Sequence, residues 1–198
     1  MNVIVDIAQS WGQLDFRIPD LGADFVGANL HKWIGAPLGL GFLYIRESRL
    51  QDIDIQLGNS SYPATDIRAR VHAGTVNAAA LMTIPAALRQ HDAMGTRNKG
   101  ARLLHLRNHW VAQLRGNGKV QILAPDDMSG AVTSLRIAGK TTFDDNVALQ
   151  QTLVEQHGIF TVPRKGPAGG ACLRVTPALF STASDLDKLV AAINRISA

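Results

Sequence analysis

Cysteine is almost absent. Cys172 is the only one in 198 residues, which excludes an internal disulfide framework and any metal site built from several cysteines. Long apolar runs are missing too: none approaches the ~20 residues that cross a bilayer. The N-terminus also lacks the basic, apolar, small-residue order of a signal peptide, so neither a membrane nor export is expected and the expected location is cytoplasmic. There is no internal repeat and no low-complexity tract. Charge of one sign is scarce: the formal net charge is +4, spread along the chain. The densest basic stretch, residues 97–107 with Arg97, Lys99, Arg102, His105 and Arg107, overlaps an apolar helical pattern without interleaved aromatics. It reads as a solvated helix face, and no nucleic acid and no metal is expected as a partner.

What is present is a globular composition, 46% hydrophobic, ample for a core. The chain is organised around residues 29–41, Asn-Leu-His-Lys-Trp-Ile-Gly-Ala-Pro-Leu-Gly-Leu-Gly. Lys32 follows the apolar Phe25, Val26, Ala28 and Leu30 and precedes Gly35, Gly39 and Gly41, where a buried strand gives way to an irregular loop. An amine held in a poorly solvated cleft has its charged form disfavoured and becomes a nucleophile able to form an imine with an aldehyde. A lone lysine there reads more readily as a surface cation just past a strand.

Upstream, residues 3–5 form a β-branched run without polar alternation, read as a strand buried on both faces of a parallel sheet and ended by Asp6. Ligands of open α/β sheets bind beyond the carboxyl ends of strands, so Asp6 is either a site carboxylate or a turn cap. A crossover helix around 18–22 and a strand over 24–30 bring Asp6 and Lys32 out on the same sheet edge. A third strand is expected over 39–46, and turn formers over 51–73 read as an extended active-site loop. Gly74-Thr75 precedes an Ala-rich helix expected over 78–94, and reads as a phosphate contact or as an ordinary N-cap.

An amphipathic helix over 98–115 opens a second, smaller α/β part, with strands at 120–123, 131–137, 159–162 and 171–176. Its remaining two helices carry Thr142 with Asp145, and Ser184 with Asp187, in capping-box spacing. The expected division is 1–97, a partial large domain, and 98–198, a small C-terminal α/β domain.

Asp6 with Gln9, then His31-Lys32 after a strand, then Gly74-Thr75 and a late Arg174 together resemble the class V aminotransferase family, whose members are fold type I pyridoxal-phosphate enzymes. Residues 21–39 are most similar to the isopenicillin N epimerase-like branch. The resemblance implies an α/β fold, the C-terminal part of a fold type I large domain with a mainly parallel sheet plus a small domain. It also implies pyridoxal 5'-phosphate as cofactor, an amino acid as substrate, and a homodimer with shared active sites. Lys32 would hold the cofactor as a Schiff base and move the substrate α-proton. Asp6 would keep the pyridine nitrogen protonated and Gln9 would donate to the ring phenolate. Asn29 and His31 would lie near the phosphate, Thr75 would reach the phosphate of the neighbouring subunit, and Arg174 would clamp the substrate carboxylate.

Read from the residues alone, His31 is equally a satisfied core imidazole, Asn29 a turn former and Arg174 an outward strand residue. Trp11 and Trp33 read as packing, and Cys172 as a buried small hydrophobe. The loop 164–170 carries no cysteine, which disfavours a desulfurase. Relatives begin with a substantial N-terminal half that this chain lacks. It is therefore expected to be a pyridoxal-phosphate enzyme or a truncated half of one, acting by transamination, epimerisation or elimination, and weakly active alone. The alternative is a non-catalytic remnant that keeps a dimer surface.

Overall fold

The computed structural model describes residues 1–58, 61–71, 74–166 and 169–198. Parts of three expectations lie outside them: Asn59 and Ser60 of the 51–73 loop, with His72 and Ala73 beside Gly74-Thr75, and Pro167 and Ala168 of the 164–170 loop. Among the described residues no helix is long and apolar enough to cross a membrane. Backbone contacts divide the chain into Met1–Thr96 and Arg97–Ala198.

The first unit is built on a three-stranded sheet in the order β1 (Ile4–Asp6), β2 (Phe25–Asn29), β3 (Gly41–Ile45). β1 and β2 are parallel, with Asp6 opposite Gly27, whereas β2 and β3 are antiparallel. Of the mainly parallel sheet expected, this unit supplies one parallel pair and one antiparallel pair. Side chains alternate across a strand, and Val5, Val26, Ala28, Phe42 and Tyr44 share one face, packed with Ile7, Trp11, Phe16, Ile18 and Leu21. Among the described residues the opposite face is less covered, and Ile4 there is 77% exposed. Among the described residues the β-branched run is thus covered on one face only, which corrects the expectation of burial on both.

The crossover between β1 and β2 holds a single 3-10 turn, Ile18–Leu21. Arg70 folds the 51–73 segment back on itself, donating to the carbonyls of Ile53 at 2.9 Å and Ala64 at 2.6 Å. The helix expected over 78–94 is two, α1 (Ala78–Met82) and α2 (Ile84–Met94), with Pro85 in the first turn of α2. A proline has no N–H to give the preceding turn, so the helix restarts there. The cap of α1 is Asn77, whose side chain accepts from Ala80 N–H at 3.0 Å; the N-cap alternative for Thr75 is thereby removed.

The second unit packs α3 (Thr96–Leu114), α4 (Phe143–His157) and α5 (Ala183–Ser197) with a sheet ordered β4 (Val120–Ile122), β5 (Thr133–Ile137), β7 (Ala171–Val175), β6 (Val162–Lys165), every pair antiparallel. Its core joins Leu106, Trp110 and Leu114 to Leu135, Leu153, Leu173 and Ile193. Three sequence expectations are corrected here. Residues 159–162 are not the strand: Ile159 N–H bonds Leu153 carbonyl at 2.9 Å and closes α4, so the strand starts at Val162 and runs through Pro163, tolerated because β6 is an edge. The α5 capping box is Thr182 with Asp185, not Ser184 with Asp187. Both spacings were present; the earlier one extends the helix, and Asp187 instead accepts from Gln113 at 2.9 Å and contacts His109 Nε2 at 2.7 Å. Finally, the 97–107 stretch is not simply a solvated face, because Lys99 is 2% and Arg107 1% exposed.

Candidate active site

Two strand ends and the turns after them build the site in the first unit. Because β1 and β2 are parallel, Asp6 and Asn29 both stand at carboxyl ends, and Ile7 N–H bonds Gly27 carbonyl at 2.9 Å. The chain then turns sharply, with Ser10 and Trp11 N–H both bonded to Ile7 carbonyl at 3.1 and 2.9 Å. Asp6 Oδ1 accepts from Ala8 N–H at 2.8 Å. Asp6 is therefore a turn cap, which leaves Oδ2 for an external donor.

After β2, buried Leu30, Ile34, Ala36 and Leu40 anchor the lysine turn. Leu30 N–H bonds Leu40 carbonyl and Ala36 N–H bonds Leu30 carbonyl, each at 2.9 Å. Gly41 makes the closure possible, since a Cβ there would stand 2.6 Å from Ala28 carbonyl oxygen. With its neighbours two residues away on either side buried, Lys32 is turned outward and is exposed, as are Asp6 and Gln9. The expectation of a poorly solvated amine is corrected: the described residues of this unit do not wall the lysine off from water.

On the strand side of Lys32, Asn29 Oδ1 and His31 Nδ1 are buried and have no hydrogen-bond partner among the described residues. Stranding a buried polar atom costs about 1–3 kcal/mol, so two such atoms within three residues mark a place where a polar ligand is complementary. The alternative of a satisfied core imidazole does not hold for His31 Nδ1. Gln9 accepts at Oε1 from Trp33 indole N–H at 3.3 Å. Trp11, by contrast, packs edge-on to Phe42 with ring centroids 4.9 Å apart.

Asp6, Gln9, Asn29, His31 and Lys32 thus gather at one end of the β1–β2 pair, while Thr75 lies exposed, two residues before the Asn77 cap. Arg174 belongs to the second unit, on β7 opposite Ser134 and Val162. Its neighbours Leu173 and Val175 point into the core, so Arg174 takes the other face, where its Nε is buried without a partner among the described residues. Burial, and after it the charge of Arg164, pulls its guanidinium below the ordinary range. Arg164 escaped the sequence reading because its strand was misplaced; the register puts it opposite Cys172, diagonal to Arg174 on the same face. Cys172 is 5% exposed.

The Aminotransferase class-V family model matches residues 1–189, and the chain belongs to that family. A probable hercynylcysteine sulfoxide lyase of Mycobacterium tuberculosis is 29% identical over 98% of this chain and 49% of its own length. Isopenicillin N epimerase of Streptomyces clavuligerus is 23% identical over 100% and 53%. In fold, the cysteine desulfurase CsdA of Escherichia coli superposes with a TM-score of 0.80 at 22% identity, over 98% of this chain and 51% of that one. The chain spans about half the length of the curated relatives it matches. Its architecture is the expected α/β one, that of part of a fold type I enzyme, and pyridoxal phosphate is the family's cofactor. The structure of the C-DES K223A mutant, with a TM-score of 0.75, has glycine covalently linked to that cofactor.

Proposed function

We propose that this chain carries the cofactor-lysine half of a pyridoxal-phosphate site acting on an amino acid. The observation that carries the reading is the pair of buried polar atoms, Asn29 Oδ1 and His31 Nδ1, without partners among the described residues, beside the outward Lys32 at the strand end where Asp6 also emerges. The residues present fit the cofactor: an amine for its aldehyde, a carboxylate oxygen for its ring nitrogen, an amide for its phenolate, and polar atoms for its phosphate.

When bound, pyridoxal phosphate supplies an electron sink for negative charge at a substrate α-carbon. Lys32 would attach the cofactor through its amine and, once released, take and return the α-proton. Asp6, through the oxygen left free by Ala8, would accept from the ring N–H and hold that proton. Gln9 would donate to the ring oxygen, and Asn29 and His31 would bind the phosphate. Thr75 would serve the phosphate of a second copy, making a homodimer with shared sites. Arg174 would take the substrate carboxylate, for which a planar fork is suited and which would satisfy the stranded Nε.

Transamination, epimerisation and elimination all begin with loss of that proton, and the names of the relatives include a lyase, epimerases and cysteine desulfurases. A desulfurase is the least favoured reaction, since the only cysteine is buried in β7 with Sγ 3.6 Å from Arg164 carbonyl. The test is to load the protein with pyridoxal phosphate, reduce with borohydride and map the peptides. The label should fall on Lys32; a label spread over surface lysines refutes the reading.

A further inference from the structure

The residue after the lysine makes a directional contact. An indole has one N–H donor and no acceptor. Its bond from Trp33 to Gln9 Oε1 at 3.3 Å therefore fixes which way the Gln9 amide faces: oxygen toward the indole, NH2 away from it. The turns that carry the two residues also meet a second time. A Cβ at Gly12 would stand 2.9 Å from Ile34 Cδ1 and 3.1 Å from Trp33 Cβ, and Gly12 has φ +88°, a backbone conformation suited to glycine. The side-chain amide of Gln13 donates to the Gln9 carbonyl and holds the backbone beneath that amide. The Gln9 turn and the Lys32 turn thus lie against each other as one piece.

We propose that Trp33 is a positioning residue: by holding the amide oxygen of Gln9 it presents the Gln9 NH2 as a donor to an anionic oxygen of the cofactor attached to Lys32. This rests on the pyridoxal-phosphate reading above. A free primary amide presents oxygen or NH2 with equal ease, and its oxygen facing an anionic oxygen is repulsive. The indole removes the wrong orientation. Because Trp33 adjoins Lys32, it also keeps donor and attachment point in register.

Two measurements on the whole chain test this. Without cofactor, the Trp33 indole N–H should exchange with solvent about fivefold more slowly in the wild type than in Gln9→Ala, as expected for one neutral hydrogen bond; equal exchange overturns the proposal. With pyridoxal phosphate, Trp33→Phe keeps an aromatic ring but loses the donor. It should weaken cofactor retention about fivefold and lower the share of bound cofactor absorbing as the anionic-phenolate form. In a Gln9→Ala background the same change should do neither. Persistence of the Trp33→Phe effect without Gln9, or no spectral effect with Gln9 present, overturns the positioning role alone. Failure of the wild type to take up pyridoxal phosphate overturns the functional reading and removes the ligand proposed for Gln9.

Discussion

Replacing Arg107 by methionine tests how the second unit is held. The side chain is 1% exposed on α3. Its Nε donates to Thr133 Oγ1 at 3.0 Å, Nη1 to Asn108 Oδ1 and Asp126 Oδ1 at 2.8 Å each, and Nη2 to Ser129 Oγ at 3.1 Å. Of these acceptors only Thr133 is itself buried, at 2% exposure. Asp126 is 57% exposed and keeps Arg115, so water and the second arginine replace most of what it loses. Methionine preserves the apolar stem, and the cost of Arg107→Met is chiefly that of a stranded Thr133 hydroxyl, about 1–3 kcal/mol. Arg107→Ala also removes two buried methylenes at about 0.8 kcal/mol each, for a total of roughly 3–5 kcal/mol. Denaturant unfolding followed through Trp110, fully buried on the same helix, reads both variants. Equal loss for the two would show that the stem contributes nothing; no loss for Arg107→Met would show that the guanidinium does not hold Thr133.

The remaining predictions concern the site, the caps and acid. Asp6→Asn leaves a side-chain oxygen to cap Ala8 but removes the charge that holds a proton on the ring nitrogen, so α-proton exchange on added amino acid should fall by orders of magnitude while cofactor stays attached; unchanged exchange makes Asp6 only a cap. Arg174→Ala should raise KM for an α-amino acid, with a loss near the low end of about 2–5 kcal/mol because the side chain is only partly buried, and should leave cofactor retention unchanged. Equal handling of a simple amine by the parent protein removes the clamp. Thr182→Ala should cost about 1 kcal/mol and Ser184→Ala little, read by thermal unfolding. Hydrogen bonds from Arg107 hold the Asp126 carboxyl below its usual range, and bonds to Thr182 hold that of Asp185 there. Both groups contribute stability that is full above the unfolded carboxylate value of about 4 and is lost as pH falls through the lower folded values. The stability of Asp126→Asn should therefore depend less on pH below about 4; a slope equal to the parent's refutes that assignment.

Local chemistry was readable from the residues because it depends on near neighbours. A β-branched run ending in Asp6, an apolar run ending before Lys32, and Thr142 three residues ahead of Asp145 each state an element and its end within a few positions. So does Asn77 three residues ahead of Ala80, although Gly74-Thr75 just before it offers a competing cap. The choice between Thr182 and Ser184 was not readable, since two equivalent spacings overlap and the contact of Asp187 with His109, 78 residues away, is one of the features that separates them. The same holds for Arg107, whose composition reads as surface until β5 and the Asp126 loop fold over it. Burial is a property of what packs against a residue, and sequence spacing carries no record of that.

At the candidate site, sequence alone named the groups proposed for chemistry and determined that Asp6 and Lys32 leave neighbouring strands at the same end. Only the tertiary structure decided that Lys32 stands in solvent, that Asn29 and His31 hold buried atoms without partners among the described residues, and that the indole beside the lysine orients Gln9. Those facts depend on how two turns, separated by a whole strand, meet in space, and a hydrogen bond 24 residues long leaves no periodic signal in the chain.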